Sequence, residues 1–143
     1  MKKYELTNET ITIDDDIKLY RIKACRQLKL RDKTVNVGDL GGYIQSESNL
    51  SHEGNSWIYD DARVYDNATV FGDASVYDNA RVYGYAKVYG DAIILDNARV
   101  YGKAEVSGRA GVFGNATVFG DASVYDNARV YGNAKVFDNA KIY

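Results

Sequence analysis

Cysteine and histidine each occur once in the 143 residues, as Cys25 and His52, and no apolar run nears the ~18 residues of a membrane-spanning helix. A lone cysteine excludes an intramolecular disulfide and fits a reducing compartment, with the thiol as a small buried apolar group. A lone histidine excludes a three-histidine zinc site built from one chain. No Ser-His-Asp or Cys-His signature and no phosphate-cradling glycine motif stands out. The first residues, Met1-Lys2-Lys3-Tyr4-Glu5-Leu6, turn polar at once and lack the apolar stretch of a secretory signal. These absences predict a cytoplasmic protein with no cofactor and no membrane contact.

Charge of one sign is also missing. The formal net charge is −2, with nine Lys and Arg against eight Asp and Glu in residues 1–50, and nine against twelve in 51–143. Such balance argues against duplex DNA as a partner and against mimicry of it.

What the chain has is a six-residue phrase that runs from Ile58 onward without insertion or deletion. Starting from its apolar residue it reads Val, aromatic, Gly or Asp, Asn or Asp, Ala, variable residue, as in Val64-Tyr65-Asp66-Asn67-Ala68-Thr69. A strict short period specifies a solenoid. Within each phrase, Ala-x-Val-aromatic alternates, so Ala and Val share an inner face while the variable residue and the aromatic point outward. Gly or Asp followed by Asn or Asp are residues that accept positive φ, so they form a corner. Three strand-corner units close a triangular coil, and the regular repeats make about five coils, on the order of 24 Å tall.

Residues 1–40 read differently. Short β-like stretches at Tyr4–Thr7, Thr10–Ile13, Lys18–Ala24 and Thr34–Val37 are separated by polar breaks, and Asp14-Asp15-Asp16 reads as a hairpin turn. Solenoid ends expose unpaired backbone, so residues 1–40 are expected to be a β cap and residues 41–143 the repeat body. At the other end the repeat reaches Tyr143 inside a strand. An open edge there is expected to abut a second molecule, to be shielded in a trimer, or to continue into further chain.

The fifteen in-phase units resemble the hexapeptide-repeat family, in which a small residue follows an aliphatic one by four positions. That resemblance implies a left-handed parallel β-helix; the residues themselves leave a right-handed β-helix open. Family members often place Gly directly after the aliphatic residue, whereas here Tyr or Phe stands there and Gly moves one place on. That variant, together with Gly38-Asp39-Leu40-Gly41-Gly42-Tyr43-Ile44, is similar to uncharacterised bacterial and phage proteins, some of them labelled transferases. The likeness implies either an acyltransferase or a phage-encoded inhibitor of a host defence system such as CRISPR.

Stacking every third phrase sorts the outward residues into three faces. One carries Tyr59, Tyr77, Leu95, Phe113 and Tyr131, and another Phe71, Tyr89, Ser107, Tyr125 and Tyr143. The remaining face carries Tyr65, Tyr83, Tyr101, Phe119 and Phe137, aromatic throughout, beside Arg63, Arg81, Arg99, Thr117 and Lys135. Parallel basic and aromatic rows suit an acidic protein surface, or less well single-stranded nucleic acid. Thirteen tyrosines and four phenylalanines, most facing outward, further lead us to expect a homodimer or homotrimer. Catalysis would fall to His52, the one side chain titrating near neutrality, if the chain is an acyltransferase. The stacked corner carboxylates Asp60, Asp78 and Asp96 form a weaker cation site. The expected function is a non-catalytic oligomeric binding scaffold, with an acyltransferase or a polymer-forming structural element as alternatives.

Overall fold

The computed structural model describes residues 2–31 and 33–143. The repeats form a parallel β-solenoid of about six turns, one more than the regular phrases supply, because residues 40–56 close an irregular first turn. Each phrase contributes a two-residue rung, variable residue then Val or Ile, and successive rungs of a face pair in parallel register, as in Arg81↔Arg99 and Val82↔Val100. Backbone bonds run from coil to coil at nearly constant length. Arg81 N donates to Ala98 O at 3.0 Å, and Tyr83 N to Val100 O at 3.0 Å.

The sequence pattern explains each part of the coil. Ala62 through Ala122 and Val64 through Val124 are almost fully buried, and together they make one continuous aliphatic core. The corner backbone is left-handed at every regular phrase, with φ between 55° and 58° at Asp60, Asp66, Asp78, Asp96, Asp126 and Asp138. Gly takes the same place in the other phrases, which is why the pattern alternates between Gly and Asp.

The cap is built from two hairpins. Strands β1 (Tyr4–Ile13) and β2 (Ile17–Ala24) pair antiparallel around Asp14-Asp15-Asp16, where Asp14 and Asp15 have φ of 48° and 72°. A bulge between Leu6 and Thr10 makes one strand of the two expected stretches. A smaller hairpin joins β3 (Leu28–Leu30) and β4 (Lys33–Val35). The strand β5 (Leu40–Ile44) then converts the antiparallel cap into the parallel body. It pairs antiparallel with β2 and parallel with Arg63–Val64.

The irregular turn carries its own hydrogen-bonding substitute. Asn49 is fully buried; its Oδ1 accepts from the amides of Gln45 and Ser46, and its Nδ2 donates to Asp66 O and Ala68 O. One amide side chain thus fills the place of a missing rung.

Candidate functional site: the basic and aromatic strip

Along the face that begins with Arg63, the aromatic rings stack in an unbroken column. Tyr65 and Tyr83 have centroids 5.0 Å apart, Tyr83 and Tyr101 4.9 Å, Tyr101 and Phe119 5.2 Å, and Phe119 and Phe137 5.4 Å. The ring planes of neighbours differ by 15° or less. The parallel coils impose this geometry, since each ring leaves an equivalent backbone position one rung on.

The cap removes the top of the column from solvent, which corrects the expectation that all nine residues of this face are available. Leu19, Tyr43 and Tyr65 form a small buried cluster with Ile11, Ile13 and Ile17 packed against it. Tyr65 is only 4% exposed, so it is a docking post for the β1–β2 hairpin. Arg63 is half-buried on the rung that pairs with Tyr43, and Tyr83 is half-buried with one side packed against this cluster; from Tyr83 the open strip carries Arg81, Arg99, Tyr101, Phe119, Lys135 and Phe137. Burial raises the hydroxyl pKa of Tyr83, and the Tyr101 hydroxyl adds to the effect, while Arg99 and Arg81 oppose it. Both guanidinium groups thus act on that hydroxyl, Arg99 through a side-chain hydrogen bond, and neither is in an ion pair among the described residues.

The expectation of excess wet aromatic surface also needs correction. Most rings are half-buried because they cover one another, and the exposed large ones are Tyr85, Tyr131, Phe137 and Tyr143. On the face of Tyr59 and Tyr77, Lys33 from the small hairpin lies 5.1 and 4.2 Å from the two ring centroids. Arg31 of the same hairpin donates to Ser75 Oγ at 3.3 Å.

The strongest side-chain hub was missed by sequence reasoning. Arg21 in β2 stacks on Tyr43 at 4.3 Å and binds Glu9 Oε2 at 2.7 Å, Gly41 O at 2.7 Å, Asp60 O at 3.0 Å, Tyr43 Oη at 2.7 Å and Asp61 Oδ1 at 3.0 Å. A planar fork with five donors suits this clamp between hairpin and solenoid. Nothing in the local sequence marks it.

His52 sits at the cap junction with both ring nitrogens engaged. Its ring stacks on Tyr4 at 4.1 Å, Nδ1 accepts the Lys3 amide at 3.1 Å, and Nε2 lies 2.7 Å from Glu47 Oε1. Since Nδ1 accepts, the proton is on Nε2 and goes to the carboxylate. The lone pair a general base would use is occupied by backbone.

Asp60, Asp78 and Asp96 are stacked as expected, but their carboxylates serve the backbone. Asp60 Oδ2 accepts the Asp78 amide at 3.2 Å, Asp78 Oδ2 that of Asp96 at 3.2 Å, and Asp96 Oδ2 that of Gly114 at 2.9 Å. Among the described residues no cluster of three or more His, Cys, Asp or Glu is placed to hold a metal ion. Among the described residues no helix is long and apolar enough to cross a membrane.

By fold and repeat, this is a β-solenoid repeat protein. In sequence it is similar to the YdcK β-solenoid repeat, whose family model matches residues 62–77, 74–90 and 122–136. No curated protein matches the chain.

Proposed function

We propose that the protein is a non-catalytic binding scaffold whose open strip, Arg81, Tyr83, Arg99, Tyr101, Phe119, Lys135 and Phe137, docks an acidic protein surface. The observation that carries this reading is the register Arg81↔Arg99, which sets two arginines, neither in an ion pair among the described residues, on adjacent rungs of the face that carries the stacked rings of Tyr83 and Tyr101. Coil-to-coil backbone bonding fixes the spacing of these rungs before binding, so no backbone rearrangement opposes association. Arg and Tyr are also the side chains that most often anchor interfaces.

The test is capture of partners from nuclease-treated lysate by the wild type and by R81Q/R99Q/K135Q. The neutral variant keeps the apolar stems and avoids new like-charge stacking. Loss of partners in an equally stable variant supports the reading. Partners captured by the wild type from untreated lysate but not from nuclease-treated lysate point to single-stranded nucleic acid instead.

A further inference from the structure

On the face that neither hairpin covers, one ring is missing from the aromatic column. Phe71 stacks on Tyr89 with centroids 4.9 Å apart, and Tyr125 stacks on Tyr143 at 5.4 Å. Between these pairs the phrase Val106-Ser107-Gly108 has serine at the aromatic position. One rung advances about 4.8 Å, so Tyr89 and Tyr125, two rungs apart, stand about 9.6 Å from each other, twice the spacing of stacked neighbours, and the place of one ring lies between them. Each wall is backed by a second ring, so the slot cannot close by a simple rotamer change.

A cleft of about 360 Å³ occupies this place, lined by Tyr89, Glu105, Ser107, Ser123, Tyr125 and Lys141 among others. Tyr89 Oη donates to Glu105 Oε1 at 3.1 Å, which orients the carboxylate on the slot wall and leaves Oε2 and the second lone pair of Oε1 for a ligand. Ser107 and Ser123 add hydroxyls, Asp126 adds a second carboxylate at the rim, and Lys141 an ammonium group.

We infer that this slot binds a guanine base as a free nucleotide, stacked between Tyr89 and Tyr125 with its N1–H and N2–H edge on Glu105. Stacking accepts any planar ring, but an acceptor carboxylate selects a ring that presents adjacent N–H donors. Guanine does so, whereas adenine presents a bare ring nitrogen beside its amino group and leaves the carboxylate facing an acceptor. Lys141 lies on the same lining, where it can meet the phosphate. The site is on a different face from the basic strip and does not depend on it.

The experiment is titration of the intact chain with GMP and AMP, followed by tyrosine fluorescence or calorimetry, for the wild type, S107A, S107F and E105Q. GMP should bind the wild type and S107A, and S107F should weaken it at least about tenfold by filling the slot. The S107F chain should melt no lower than the wild type, because it restores the missing ring. E105Q should weaken GMP while leaving AMP unchanged. The proposal is overturned if GMP fails to bind the wild type at millimolar concentration or binds S107F as well as wild type. It is equally overturned if AMP binds as tightly as GMP.

Discussion

The Oδ2 of Asp78 accepts the backbone amide of Asp96, one coil further along, at 3.2 Å. Asp78 itself stands at φ 57°, a conformation costly for a residue with a Cβ. The bond to the next coil offsets that cost. The Asp column is thus part of the solenoid's hydrogen bonding, although its spacing first suggests a cation site. Asp78→Ala removes the acceptor and keeps the strained backbone, so it should cost about 2 kcal/mol in urea unfolding. Asp78→Gly loses the same bond but relaxes φ, and should cost about 1 kcal/mol less than alanine does.

Two glycine-to-alanine changes separate crowding from strain. A Cβ on Gly42 would lie 2.5 Å from both Ala62 O and Ile58 Cγ2. Gly42→Ala should therefore cost about 3 kcal/mol, because backbone of the first coils must move. Gly132 has open space around it but φ of 64°, so Gly132→Ala should cost only about 1 kcal/mol. Urea midpoints of the two variants check the ranking.

Stacked rings stabilise the body, and the interrupted column can be completed. Leu95 stands between Tyr77 and Phe113 on the face that also carries Tyr59. Leu95→Tyr should gain about 1 kcal/mol by adding stacking on both sides. Tyr101→Leu breaks contacts at 4.9 and 5.2 Å and should lose about 1–2 kcal/mol. Thermal melting of both variants measures the effect, and a lower melting temperature for Leu95→Tyr contradicts it.

Lys3 gives the molecule an unusual pH dependence. It is fully buried, with Nζ 2.7 Å from Ser56 O and 3.0 Å from Ser56 Oγ. Burial first, then the Arg26 charge, hold its pKa down to about 7 against 10.5 for a free lysine, with Asp73 opposing. Between those values the unfolded chain binds a proton that the folded chain does not, so stability rises with pH across that window. Below about 7 both states are protonated and the slope vanishes. In the alkaline range the trend reverses. Burial raises the hydroxyl pKa of Tyr4, Tyr65 and Tyr83, so their unfolded counterparts ionise first and stability is lost. Melting temperatures across this range should show the rise in the wild type and not in Lys3→Met, with the alkaline fall in both. A flat wild-type profile through the window contradicts the assignment.

The periodic part of the molecule was readable because each position repeats one physical demand. Val and Ala at fixed spacing mean a narrow aliphatic core, and Gly or Asp means a left-handed corner. Folding the phrase over three units places Tyr83 next to Tyr101 on one face, where the two rings stack. The contacts of the cap were not readable, since they occur once. Ile11, Ile13, Ile17 and Leu19 announce a half-buried hairpin, but nothing in their pattern says that they land on Tyr65. Leu28-Lys29-Leu30 alternates, yet three residues are too few to separate β3 from a loop. The five-bond role of Arg21 depends on Glu9, Gly41, Asp60 and Asp61 meeting in space, which no spacing encodes.

The central claim, that the open strip binds an acidic protein surface through its basic side chains, is tested most directly by quantifying captured partners at two salt concentrations. The wild type should retain a defined partner at low salt and lose most of it at high salt, while R81Q/R99Q/K135Q, melting at the same temperature, captures little at either. Equal recovery by the two proteins, at both salt concentrations, would contradict the account.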